Sequence, residues 1–522
     1  MADRLRELEK ERYDAVVIGA GTGGLMCAAR LARAGLEVLI IDQHYIPGGN
    51  ATVFRRPGYE FDVGVHYLGG CHEEGNIPTM LREADAQGVE FEELDPDGYD
   101  VFHFPEFQFR MPKGFDAFEA RLIEHFPAER RGVRRYVKLL RQLARIADAS
   151  ESKLKTLLAA PRSLLLLRHL MDTQDEFLDT CTQDPGLRAV FAGQGGDHGL
   201  PPSRVSLLVA AGITQHYLRG AWMPKGGSQA MSDALADSIE RHGGKVLLRA
   251  RATRILVEEG RAVGVELENP HLGTRVIKAP VVVSNADLRR TLLELVGDEH
   301  LSAETVQRTK DYEMSPALSV LFLGVRGDLS EDGVGRANHW IYPELSSEPC
   351  YAAAREGRFL EQPFVFASPA SRKDPSNPRL APEGVDNLQL LTITPAEPEA
   401  WGVSAAQLAD GTYRKEPAYL ERKAEVTRGL LSTAEGWLPG LSERVVFSEL
   451  SSPLTHTRYT GSTGGTSYGI AHTPEQVQGG RPGATTEIDG LYLCGANTRS
   501  GHGIEGAAAS GRFSAEKILS SA

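Results

Sequence analysis

Short apolar runs alternate with amphipathic stretches along the chain, and the first such series is the best ordered. Tyr13 to Ile18 is an apolar run that ends in a glycine-spaced turn, GAGTGG. An Ala- and Leu-rich segment follows, then a second apolar run closed by Asp42. This pattern predicts strand, turn, helix and strand in succession. The next stretch, IPGGNATVFRRPGYEFDVGVHYLGG, is rich in glycine and aromatics and predicts a close-fitting loop with a strand pair. Residues from about 80 to 200 read as mainly helical, including VKLLRQLARIADA and the apolar cluster LAAPRSLLLLRHLM. They form an expected helical cap. From Gly226, GGSQAMSDALADSIERHGG predicts a helix ending at a glycine pair, and KVLLRARATRILVEEGRAVGVEL predicts strands with a turn at Glu259 and Gly260. VVVSNAD at 281–287 is a further buried strand, and VLFLGVRG and LQLLTITP are candidate strands of a second sheet. GLYLCGANT predicts a strand-to-turn unit, and a last helix begins near Ile504.

The first series has the order required to bind an ADP moiety. Gly19 permits a tight turn, Gly21 lets backbone approach phosphate, and Gly24 lets the helix pack closely on the strand. The pyrophosphate would lie on the helix N-terminus, among Gly19, Ala20, Gly21, Thr22, Gly23 and Gly24. Asp42 stands 18 residues after Gly24, near the spacing of a carboxylate that bonds a ribose hydroxyl. Length and charge narrow the class further. The 522 residues suggest about three units of ordinary domain size, some of them discontinuous. A hydrophobic content of 41% and a charged content of 24% are those of a packed globular enzyme. The net charge of -13 repels phosphate backbones, which argues against a nucleic-acid partner. Cys27, Cys71, Cys181, Cys350 and Cys494 lack metal-ligand spacing, so no metal site is expected and a reducing, cytoplasmic setting fits them. The charged N-terminus has no apolar signal core, and no apolar run is long enough to span a bilayer.

Three separated motifs resemble one family. Gly48, Gly49, Asn50 and FDVGVHYLGG are similar to the flavin-binding start of the phytoene desaturase, carotenoid isomerase and retinol saturase family. MPKGGSQAMSDALADSIERHGGKV with ATRILVEEGRAVGV resembles that family's returning FAD segment, in which Ala252 matches a strand residue whose backbone touches adenine. RPGATTEIDGLYLCGANTRSGHGIEGAAASGR resembles its C-terminal signature. The resemblance implies FAD as cofactor. It places Gln43, Gly49, Asn50 and Ala51, and later Gly495, Ala496, Asn497, Gly503, Ile504 and Glu505, beside it. Two positions depart from relatives: Asn50 stands where many amine oxidases carry Arg, and Glu505 where desaturases often carry Pro. GVHYLGG is closer to retinol saturases and carotenoid isomerases than to desaturases. The implied fold class is α/β, a discontinuous Rossmann-like FAD-binding domain (1–80, 201–300 and 481–522) with a helical cap (81–200) and a mixed-sheet substrate domain (301–480).

Chemistry on carbon-carbon double bonds needs the flavin, a held substrate and a group that gives or takes a proton. His66 and Tyr67, following FDVGV, are the catalytic candidates, and ring walls of the pocket are the alternative. Asp197 and His198 read as a capping pair in a glycine-rich turn, and His502 and Glu505 have equally plain structural explanations. The expected function is therefore an FAD-dependent oxidoreductase acting on a hydrophobic polyene or isoprenoid, with saturation or isomerisation favoured over desaturation. Amine oxidation, and non-catalytic carriage of a prenyl or lipid group on a similar fold, are the alternatives. No second dinucleotide fingerprint is present, so a nicotinamide or a quinone would have to visit the flavin itself. Leu164 to Leu167 read as buried cap core, with a peripheral membrane contact as the alternative.

Overall fold

The computed structural model describes residues 4, 8, 10–149 and 163–521. Most of the charged N-terminal stretch, and residues 158–162 of the apolar cap cluster, lie outside the described residues. Five strands form one parallel sheet in the order Leu491–Leu493, Val281–Ser284, Ala15–Ile18, Val38–Asp42 and Lys245–Leu248. Alternation within these short runs feeds two cores. Ala15, Val17, Val38 and Ile40 face the helices Thr22–Arg33, Gln229–Arg241 and Gly503–Ser521. Val16, Ile18, Leu39 and Ile41 face an antiparallel meander of Arg251–Glu258, Arg261–Asn269 and Gly273–Lys278. A sheet covered on both sides has no use for polar positions, so its strands read as unbroken apolar runs. The meander's first turn falls at Glu259 and Gly260, both at positive φ, as a two-residue hairpin requires.

The second sheet has seven strands in the order Val445–Ser451, Ala317–Arg326, Val385–Thr394, Val365–Pro369, Asn338–Ile341, Asp100–His103 and Gln108–Met111. Its last two strands fall inside the stretch from about 80 to 200 that reads as mainly helical, and join the substrate-domain sheet rather than a separate cap. Phe91–Glu93 is also a strand, paired with Trp222–Pro224. Segments of three or four residues are too short to display a period of two against their polar flanks. Among the described residues the same stretch carries the helices Phe115–His125, Arg130–Ala149, Gln174–Asp179 and Pro185–Ala192. Their buried side chains, among them Phe118, Tyr136, Val137 and Phe177, share one core with Phe102, Phe109 and Trp340 of the sheet. On the opposite face, Val426 and Leu430 of the helix Pro417–Glu435 pack on Leu321, Leu323 and Leu390.

The Leu164–Leu167 cluster is not the buried core that its composition suggests. Leu166 alone of the four is fully buried, whereas Leu164 is 70% exposed, Leu167 46% and Met171 55%. The helix Leu164–Arg168 is a little over one turn long, so it offers the core Leu166, with Leu165 packed part-buried against it, and turns Leu164 and Leu167 outward.

Candidate cofactor cleft

A cleft of about 640 Å³ runs along the carboxyl ends of the parallel strands and continues between the two sheets. At one end stands the glycine turn. Gly19 has φ +94°, and a Cβ on Gly24 would lie 2.0 Å from the Gly19 carbonyl oxygen, so only glycine lets this helix approach its strand. The helix Thr22–Arg33 starts at Gly21 with no side-chain cap and no acid in its first turn. Its uncapped amides form an anion site. The Gly48–Gly49 loop lies against this turn: Gly48 donates its amide to Ala20 O at 2.7 Å, and a Cβ on Gly49 would stand 3.1 Å from Gly21 Cα. Asp42 accepts the Ala20 amide on Oδ2 and the His44 amide on Oδ1, each at 2.7 Å. Desolvation raises its pKa, while the two amide bonds favour the ionised form; each oxygen keeps acceptor capacity for a hydroxyl.

Asn285 organises this region and escaped the sequence analysis. Its amide lies among Gly19, Gly21, Gly23 and Gly495, closer than any added Cβ on Gly21, Gly23 or Gly495 would tolerate, and it donates to Gly19 O at 3.3 Å. The signal was a polar residue directly after the buried run VVVS.

Farther in, Gly64, Asn50, Ala51, Gly495, Ala496, Asn497, Gly503 and Ile504 line the cleft, so the N-terminus of Gly503–Ser521 opens onto it. Gln43 and Ala252 line the nucleotide end. Ala20, Gly23 and Gly24 shape the turn from behind. Asn50 meets His456 Nε2 at 2.8 Å, and His456 Nδ1 lies 2.9 Å from Gly465 O. Burial lowers the His456 pKa, so the ring is neutral with its proton on Nδ1. The Asn50 atom facing Nε2 is the carbonyl Oδ1, so an accepting Nε2 requires the Asn50 amide to be turned end for end. Uncapped helix amides, a glycine cradle and a ribose-spaced carboxylate fit FAD. Bound there, a flavin supplies hydride exchange with carbon.

The remaining candidates do not line the cleft. Glu505 is tied to Asn76 Nδ2 at 2.5 Å and to His216 Nδ1 at 3.1 Å. His66 has a buried Nε2 without a hydrogen-bond partner, and desolvation pushes its pKa down to about 3, so it is neutral at physiological pH. Tyr67 is 5% exposed and stacks on Tyr217 at 4.0 Å between ring centroids. Its hydroxyl lies 2.5 Å from Asp197 Oδ2 and 3.2 Å from Asp100 Oδ2. One phenolic proton cannot serve two carboxylates, so both contacts are satisfied when Asp197 itself carries a proton. Burial and the nearby Asp100 raise the Asp197 pKa in that direction. Asp197 is therefore joined to Tyr67 rather than to a helix cap, and its carbonyl accepts from His502 Nε2 at 2.8 Å. His198 is buried beside it, with Nδ1 3.4 Å from the Leu200 amide. Behind them lies a residue the sequence did not reveal, Lys373, wholly buried and bonded to His66 O, Ser368 Oγ and Asn338 Oδ1. Desolvation lowers its pKa to about 7, while Asp100, Asp62 and Asp197 pull it upward.

The model of the family described as flavin containing amine oxidoreductase matches residues 22–519. Prolycopene isomerase 1, chloroplastic, from an Oncidium hybrid cultivar is 29% identical over 526 residues, covering 98% of this chain and 84% of its own length. All-trans-retinol 13,14-reductase from Danio rerio is 27% identical over 513 residues, covering 93% and 82%. Among solved structures, an oxidoreductase from Methanosarcina mazei superposes with a TM-score of 0.63 at 20% identity, covering 97% of this chain and 99% of its own.

Proposed function

Because the chain belongs to the flavin-containing amine oxidoreductase family, we propose that it is an FAD-dependent oxidoreductase acting on carbon-carbon double bonds of a hydrophobic polyene or isoprenoid, by saturation or isomerisation. The observation that carries this reading is the shape of the cleft. Beyond the glycine-lined nucleotide end it continues into a lobe walled by Phe54, Phe322, Leu450, Tyr413 and Tyr419, an apolar surface suited to an extended chain. The two relatives above, named for a polyene isomerase and a retinol reductase, support the same chemistry. Asn50 supports it over amine oxidation.

Within this reading the chain's own residues bind the cofactor, exclude water and hold a proton. The cofactor lies on Gly19 to Gly24, Asp42, Gln43, Gly49 to Ala51, Ala252, Gly495 to Asn497, Gly503 and Ile504. Tyr67 and the protonated Asp197 are the proton-holding pair, buried behind the lining of the cleft, and neutral His66 also lies outside that lining. The electron partner is a nicotinamide or a quinone that reaches the same face. The exposed Leu164, Leu167 and Met171 support a reversible membrane contact through which a lipophilic substrate would arrive.

Anaerobic incubation of the flavin-loaded protein, its flavin first reduced with dithionite, with retinol and with prolycopene tests the reading, following reoxidation of the flavin spectrum and product mass together. A gain of two hydrogens or a changed geometry at constant mass supports it. Inertness toward such alkenes, with hydrogen peroxide released from amines in air, would replace it with amine oxidation. Binding without any flavin-dependent change would leave a lipid carrier.

A further inference from the structure

One mouth of the cleft carries a charge pattern that an apolar substrate alone does not require. The strand Val53–Arg56 runs outward from Thr52, and Phe54 and Arg56 face the cleft while Arg55 does not. At a strand's rise, Arg56 stands roughly 13 Å from Thr52. The opposite wall is the edge strand Val445–Ser451, which brings Glu449 to the same mouth. Arg56 and Glu449 neutralise each other through two hydrogen bonds, of 2.7 and 2.6 Å. Arg414, Lys423 and Arg458 also line this mouth, and among the described residues none of them has a carboxylate within ion-pair distance. Arg414 bonds only the Gly411 carbonyl, Arg458 lies over the Tyr459 ring, and Lys423 is half-buried with its ammonium 5.7 Å from the Tyr419 ring centroid. Three cations without an ion-pair partner among the described residues, of which Lys423 feels the Glu449 charge at longer range, share one opening of a chain whose net charge is -13. They surround an aromatic-walled lobe whose rim also reaches the nucleotide end, where the Tyr459 carbonyl accepts from Gln43 Nε2 at 3.1 Å and the Tyr459 ring meets His44 at 5.4 Å between centroids.

We propose that this mouth binds the anionic head, a carboxylate or a phosphate, of a substrate whose apolar chain lies along the Phe54–Phe322 lobe toward the cofactor. The inference rests on the polyene reading and adds the class of end group. Lys423 is half-buried beside an aromatic ring, so solvent screens its charge less than it screens the exposed Arg414 and Arg458, and it binds an anion more strongly than they do. Lys423 is the centre of the site and the residue whose loss matters most.

Equilibrium dialysis of the flavin-loaded protein against retinoate and retinol, and against farnesyl phosphate and farnesol, tests this. Each acid should bind about tenfold more tightly than its alcohol at low salt, a difference of ~1.4 kcal/mol, and the preference should shrink as salt rises. Whichever acid shows the larger preference identifies the head group. K423Q, and the double variant R414Q/K423Q, should erase the preference while keeping full flavin content and unchanged alcohol binding. Equal binding of acid and alcohol would overturn the inference and leave the polyene reading standing. Loss of flavin from K423Q would overturn it too, since the cations would then serve the cofactor's own phosphates. Failure of every one of these ligands to bind would overturn the polyene reading itself.

Discussion

Asp42 and Asp197 are both carboxylates lifted by burial, and their partners separate their roles. Asp42 accepts two backbone amides and faces the nucleotide end of the cleft; Asp197 shares a proton with Tyr67 beside a second buried acid. Asp42→Ala removes a charged acceptor, and bonds to charged groups contribute about 1.5–3 kcal/mol. Titrating apoprotein with FAD should therefore show an affinity about 10–100-fold lower, whereas His66→Ala should leave it nearly unchanged because His66 does not line the cleft. Equal losses would mean that the His66 loop holds the cofactor. Lys373 permits a prediction whose sign follows from linkage. Asp62 and Asp100 are raised to about 6 by desolvation, so over the range from the ordinary carboxylate pKa to about 6 the folded chain holds protons that the unfolded chain has released. Their contribution to stability therefore falls as pH rises through that window, and the Lys373 ammonium offsets the loss. Lys373→Met removes the offset and raises both acids further. Its stability deficit should widen from pH 5 to about pH 7, where Lys373 itself begins to lose its proton, toward the ~3–5 kcal/mol of a broken buried pair. Denaturant melts that showed a deficit constant across this range would refute the charge coupling.

At the scale of elements, glycine decides where helices can meet. Gly511 lies inside the last helix, where it costs helix stability, and a Cβ there would stand 2.1 Å from the Gly23 carbonyl oxygen. Gly511→Ala should push the first and last helices apart. We expect a destabilisation of about 1–3 kcal/mol, the range for overpacking, together with weaker FAD binding, because both helices end on the cleft. A variant that melted like the wild type would show that the crossing yields without consequence. The short helix Leu164–Arg168 makes a different claim. Replacing Leu164 and Leu167 with Gln should abolish cosedimentation with lipid vesicles while the thermal midpoint stays within a degree or so of wild type, since exposed positions contribute little to the core. A large loss of stability would instead assign those leucines to packing. Elements were legible in the sequence according to length and punctuation. Runs bounded by glycine, such as the turn at Glu259 and Gly260, could be read directly, because a positive φ selects the residue. Phe91–Glu93 could not, because its partner Trp222–Pro224 is distant in sequence; Asp100–His103 and Gln108–Met111 pair locally with each other, but four residues each are too few to show a period. Asn285 and Lys373 were hidden for a related reason: each acquires its role from backbone brought to it by the fold.

For the whole molecule, the arrangement that matters is that the cleft is assembled from segments hundreds of residues apart. The turn at Gly19 to Gly24, the loop at Gly48 to Ala51, the strand at Ala252 and the C-terminal segment from Gly495 to Ile504 contribute to one surface, and the parallel sheet places the first and last strands on either side of Val281–Ser284. A ligand that touches all of them replaces chain connectivity as their common tie, so its binding should stabilise them as a unit. At a hundredfold excess over Kd, FAD should contribute about 2.7 kcal/mol, which for a chain of this length is an increase of about 2–3 °C in the thermal midpoint. The more discriminating measurement is hydrogen exchange. Amides around residues 19–24, 48–51 and 495–504 should gain protection together on loading, while the seven-stranded sheet, whose core is closed without the cofactor, should change little. Protection confined to the first glycine turn would mean that only an ADP moiety is held there, and that the later segments do not form part of the same site.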